Sequence, residues 1–186
     1  MTDIYKASKG GGNSSNSFGA WFLSLFENDK INVDIKESFT RKIRHTKGEI
    51  SVSLKREVEL FTSNKKFEKV DLFIAIAHEL AHGLSYNYIN KAQIDYNWLN
   101  TTVGNATVDE VFATIIENYI RGENKTPIRT HYFGPKIKSN EPSIFEQSRI
   151  YNEDPKTGQF ELTVPALNIY NNYKKSFQNK GIQWID

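Results

Sequence analysis

The chain has 186 residues, with 24 Lys and Arg against 22 Asp and Glu and a net charge of +2. That length suits one domain with its own core rather than two, and so even a charge lacks the basic footprint that phosphate-backbone binding needs, so nucleic acid is not expected as a partner. With no cysteine there is no disulfide framework, no Cys-type structural zinc site and no thiol nucleophile.

Gly10 to Ser17 reads Gly-Gly-Gly-Asn-Ser-Ser-Asn-Ser, a composition that buries nothing and leaves the backbone free. Residues 1–17 are therefore expected to be a flexible segment, either a frayed terminus or a linker to a delivery signal or carrier, with a single domain over 18–186. The apolar run Ala20 to Phe26 carries Ser24 and is short for a secretory core. No run approaches the roughly eighteen apolar residues that cross a bilayer, so a soluble monomer without a membrane partner is expected.

Ile31, Val33 and Ile35, then Ile50, Val52 and Leu54, alternate with polar residues as half-buried strands do, and Lys47-Gly48 suits a turn into the second run. From Phe67 to Tyr88 the period changes. Val70, Phe73, Ile74, Ala77, Leu80, Ala81 and Leu84 follow helical spacing, with Asp71 in the first turn. A second helix is predicted from Val108 to Arg121, with Thr107 as N-cap and Val111, Phe112, Ile115, Ile116, Tyr119 and Ile120 on its apolar side. After Pro127 the chain is richer in Pro, Gly and Asn, and a closing helix is expected over Ile169 to Phe177. No internal repeat is visible. The fold class this implies is α+β, a small mixed sheet packed on a buried helix and a second helix.

The first of those helices contains His78-Glu79-Leu80-Ala81-His82. Residues four apart share a helix face, so the two imidazoles converge on one point and Glu79 sits beside them. That pattern suits one zinc ion held by His78 and His82, with Glu79 as general base toward a water in the open coordination position. In so apolar a helix an unpaired Glu would cost several kcal/mol to desolvate, which favours a metal site over a polar seam.

A third, oxygen ligand has to come from another element, and the second helix offers Asp109, Glu110 and Glu117. Glu110 and Glu117 are two turns apart and share a face. Glu117 is the expected ligand because it sits deep in the apolar part of that helix, between Ile116 and Tyr119, where an unpaired carboxylate would be hard to accommodate. Glu110 remains the alternative. It has a ready structural role as an acid in the first helical turn, and it or Asp109 is available to accept a hydrogen bond from a ligating imidazole. His45 and His131 lack helical partners and are expected at the surface, with His131 also a candidate substrate contact.

Beyond the zinc helix, the segment from Glu117-Asn118 through Arg121 and Pro127 to Arg129-Thr130-His131-Tyr132 resembles the block that follows that helix in NleD-like effector metallopeptidases, a zincin-like group. The Glu-Asn pair, the Arg three after the Asn, the Pro and the Arg-x-x-Tyr all have counterparts here, and the likeness covers roughly Glu49 to Tyr132. Lys125 departs from the pattern, which has Gly there. The site logic is similar to that of clostridial neurotoxin light chains, with a zinc-binding Glu on the second helix.

The resemblance implies that Tyr132 hydrogen-bonds the developing oxyanion, that Arg129 orients substrate or stabilises the same charge, and that Asn118 and Arg121 brace the site. It also implies that the strand Glu49 to Leu54 lies at a sheet edge and that Ile50 to Leu54 pair with extended substrate. The expected activity is that of a zinc endopeptidase, a secreted bacterial effector or toxin. It would leave its producer by a route without a Sec signal and cleave a protein in the target-cell cytoplasm, with an immunity protein or a secretion-system carrier as further partners. The rival readings are an intracellular housekeeping peptidase and a catalytically inactive, zinc-stabilised binding domain. Glu79 argues against the second, since a purely structural zinc site has no use for it.

Overall fold

A computed structural model describes residues 18–27, 33–37, 44–46, 49–52, 59–101, 104–134 and 142–184. The expected flexible segment 1–17, the Lys47-Gly48 turn and Leu54 lie outside them. The described residues form a mixed α+β arrangement of six helices and small sheets.

Helix α1 (Phe18–Glu27) buries Phe18, Phe22, Leu23, Leu25 and Phe26. Strands β1 (Asp34–Glu37), β2 (Arg44–Thr46) and β3 (Glu49–Val52) form a mixed sheet in the order β1-β3-β2, β3 running parallel to β1 and antiparallel to β2. The edge-strand expectation for Glu49 to Leu54 is therefore corrected. β3 is central, with neighbours on both sides, so its backbone has no free edge to offer a substrate. Its placement follows from Ile50, which is fully buried, while the alternation that marked it as a strand says nothing of how many neighbours it has.

β4 (Glu59–Phe61) and β5 (Phe67–Lys69) form an antiparallel hairpin, so the helix expected from Phe67 starts later. Helix α2 runs Leu72–Tyr88, with Asp71 as its N-cap residue. Short helix α3 (Lys91–Ile94) follows, its N-cap Asn90 side chain accepting from the Ala92 N–H. The hairpin β6 (Asn97–Thr101) and β7 (Gly104–Thr107) leads into helix α4 (Val108–Glu123), with Thr107 at the expected N-cap position but its side chain making no capping hydrogen bond. Helix α5 (Pro142–Gln147), the hairpin β8 (Tyr151–Glu153) and β9 (Phe160–Leu162), and helix α6 (Val164–Asn179) complete the chain. α6 begins five residues before Ile169 because Thr163 caps it, accepting from Ala166 N–H, with Pro165 in its first turn.

α2 and α4 pack along each other, with β2 and β3 against α2 and with α1 and α6 against α4. Leu80, Leu84, Val111, Phe112, Ile115 and Ile116 are fully buried between them, and each such side chain contributes about 1.5–3 kcal/mol. Glu123, at the end of α4, accepts from Phe18 N and Gly19 N at 2.5 and 3.0 Å, which satisfies two of the orphan donors of α1. Residues from both ends of the described chain, Phe18 and Trp184, belong to the same core cluster.

Candidate metal centre

The helical period of α2 brings the rings of His78 and His82 to 5.0 Å between centroids, at 80° to each other. The carboxylate they meet is that of Glu110, from the first turn of α4. Its Oε2 lies 3.2 Å from His78 Nε2 and 3.5 Å from His82 Nε2. One ligand atom from each of the three residues falls within 4.8 Å of the others, the one such group among the described residues. Four donors around an ion at bonds of 2.0–2.1 Å stand about 3.3 Å apart, so the three side chains have the spacing and the chemistry to hold one metal ion.

The other ring nitrogens are occupied by carboxylates as well. His78 Nδ1 lies 3.1 Å from Glu117 Oε2 and His82 Nδ1 lies 2.5 Å from Asp109 Oδ2. An ionised carboxylate can only accept, so each Nδ1 donates to its carboxylate; each Nε2 faces Glu110 Oε2, and a bound ion would take the place of the proton there. Consecutive positions on α4 divide the work: Asp109 takes the outer nitrogen of His82, Glu110 faces both inner nitrogens, and Glu117, two turns on, takes the outer nitrogen of His78.

The geometry groups Glu110, and not the expected Glu117, with His78 and His82, while Glu117 stands against the other nitrogen of His78. Glu117 is 1% exposed, and its charge is met by Arg121, whose Nε donates to Oε1 at 2.7 Å from four residues along the helix, and by Arg129 Nη1 at 3.6 Å. A deeply buried carboxylate demanded a partner, and that partner is a guanidinium. Burial pushes the Glu117 carboxyl up, but the hydrogen bond from His78 and the charges of Arg121 and Arg129 outweigh it and hold the group at about 2. Glu110 is likewise pushed up by burial and pulled well below the ordinary carboxylate range by His78 and His82. Burial also disfavours protonation of the two rings, yet the surrounding carboxylates raise His78 and raise His82 further. Three acids around two imidazoles make a site that favours positive charge.

Glu79, half-buried, is outside the ligand group and close enough to influence the Tyr132 phenol. Tyr132 has its hydroxyl against Glu110, and burial together with the charge of that carboxylate keeps the phenol protonated. Arg129 is held by the loop it belongs to. Its Nε donates to the His131 carbonyl at 3.2 Å, its Nη2 to the Tyr132 carbonyl at 2.5 Å, and its guanidinium lies 4.8 Å from the centre of the Tyr132 ring. With Nη1 near Glu117, the group faces inward and braces the segment that carries Tyr132.

Asn118 completes the brace, donating Nδ2 to the Arg129 carbonyl and accepting the Arg129 N–H, both at 2.8 Å. Arg121 Nη1 donates to the Pro127 carbonyl at 3.1 Å. Both residues thus hold the loop, as expected. His131 is 4% exposed instead of lying on the surface. It stacks on Phe145 at 3.9 Å with Nδ1 2.9 Å from the Thr130 hydroxyl, and burial, reinforced by Arg149, pushes it down to about 4, so it is a neutral packing residue. The His45 side chain lies outside the described residues. Lys125, where the family pattern has Gly, adopts a left-handed φ of 54°.

No protein-family model, curated protein or solved structure matches this chain.

Proposed function

We propose that the chain is a zinc-dependent endopeptidase with a zincin-like fold. The observation that carries this reading is the meeting of His78, His82 and Glu110 around one point, with Glu79 in the same helical turn left outside the ligand group. Two imidazoles and one carboxylate, with no thiolate, are a donor set suited to zinc and open at the remaining coordination position. When bound, such an ion supplies Lewis acidity to a peptide carbonyl and lowers the pKa of water.

The chain's own residues supply the rest. Glu79 takes a proton from the attacking water and passes it to the departing nitrogen as the C–N bond breaks, leaving a carboxylate and an amine. Tyr132, kept protonated by burial, donates its hydroxyl to the oxygen on which charge develops. Arg129 and Asn118 hold the Tyr132 segment in place, and Asp109 and Glu117 hold the two imidazoles. With β3 occupied on both sides, β2 is the strand suited to pairing with extended substrate. Its outer edge carries no strand among the described residues, and it packs against α2.

The biological role, a bacterial effector or toxin that reaches a target-cell cytoplasm and cleaves a protein there, rests on the motif resemblance. It is tested by exposing target-cell lysates to the wild type and to Glu79→Gln and sequencing protein N-termini. New termini with the wild type alone support the role. Identical profiles from the two proteins sink it.

A further inference from the structure

The two histidines of the centre are held by carboxylates in unlike surroundings. Glu117, behind His78, shares its charge with Arg121 and Arg129. Asp109, behind His82, is 3% exposed and has no Lys or Arg within ion-pair distance among the described residues. Its second oxygen, Oδ1, lies instead 3.5 Å from the hydroxyl of Tyr173, on the closing helix α6. Tyr173 is 1% exposed, and its ring stacks on Phe112 of α4 at 4.5 Å and 28°. Phe112 follows Asp109 by three residues, so the packing that fixes the ring also fixes the hydroxyl over Asp109.

We propose that Tyr173 is a positioning residue of the metal centre, donating its hydroxyl to Asp109 so that the other carboxylate oxygen stays on His82 Nδ1 and His82 Nε2 stays turned toward Glu110. This rests on the metal-centre assignment above. A carboxylate with one bonded oxygen still pivots about its last torsion, whereas bonds to both oxygens fix its plane and with it the plane of the imidazole. A neutral donor does this without neutralising the acid, so Asp109 keeps its full charge for His82. The closing helix thereby becomes part of the centre.

The test is a double-mutant cycle on zinc affinity, measured by competition with a chromophoric chelator. Tyr173→Phe keeps the ring and its stacking, so circular dichroism and Tm should stay near wild type, while affinity should fall about 3- to 10-fold. Asp109→Asn should lose about 10- to 100-fold, the range of second-layer partners of metal-ligating histidines. The double variant should bind no more weakly than Asp109→Asn alone. In the zinc-loaded protein the His82 Nδ1–H proton, followed by NMR, should exchange with water faster in Tyr173→Phe than in the wild type, a change that altered packing alone would not single out. Unchanged affinity in Tyr173→Phe, or fully additive losses in the double variant, overturns the proposal while leaving the centre intact. A wild type that takes up no zinc removes the centre and the proposal together.

Discussion

Glu117→Gln separates a structural acid from a metal ligand. The substitution keeps the shape of the side chain and removes the charge that Arg121, 3% exposed, and Arg129, 8% exposed, are packed around. Breaking one partner out of a buried ion network costs about 3–5 kcal/mol. The carboxyl itself leads to a similar size: held at about 2 against an ordinary 4.5, it contributes about 3 kcal/mol at neutral pH. The sign follows from the depressed value. That contribution is complete above pH 4.5 and drains as the pH falls toward 2, with about 2 kcal/mol gone by pH 3.

Urea unfolding in the presence of chelator, at pH 7 and at pH 3, measures both quantities. Glu117→Gln should be less stable than the wild type by about 3 kcal/mol at pH 7, and the gap should narrow at pH 3. Glu110→Gln should lose more zinc affinity than Glu117→Gln, and because His78 and His82 hold its carboxyl well below the ordinary range it should also lose stability in the chelated protein. A Glu117→Gln protein as stable as the wild type, with zinc affinity as poor as that of Glu110→Gln, would refute the reassignment and return the ligand role to Glu117.

Tyr132→Phe should hold zinc as the wild type does but turn over a protein substrate about 10- to 100-fold more slowly, since one preorganised donor is lost. Equal turnover in steady-state assays would remove Tyr132 from the reaction. Lys125→Gly relieves a left-handed residue, worth about 1–2 kcal/mol, against about 0.4–1 kcal/mol of added unfolded-chain entropy. The variant should gain between about 0 and 1.6 kcal/mol, read as a higher urea midpoint at unchanged slope. A lower midpoint would show that the turn at Lys125 depends on the lysine side chain.

The two long helices of the site were legible because they are strongly periodic and buried on one side, and the His-Glu-x-x-His string fixed the imidazoles to one face before any tertiary contact was known. The three short hairpins were not. Their strands are three to five residues long, too short for alternation to stand out, and Phe67, which looked like helix, belongs to one of them. α1 looked like no more than an apolar run because what holds its start, Glu123, lies at the far end of the second ligand-bearing helix. The pairing of Glu117 with Arg121 was legible in the spacing, since Arg121 stands one turn after Glu117, where an acid and a base pair along a helix. The centrality of β3 and the reach of Tyr173 to Asp109 depend on pairings between distant segments, and neither spacing nor composition marks them.

The most direct measurement is metal content set beside cleavage for three proteins: the wild type, Glu79→Gln and Glu110→Gln. After stripping, reloading with zinc and desalting, the wild type should retain about one zinc per chain and cleave protein. Glu79→Gln should retain the same zinc and cleave nothing, and Glu110→Gln should retain little. A wild type that retains no zinc, or a Glu79→Gln protein that cleaves as the wild type does, would contradict the account.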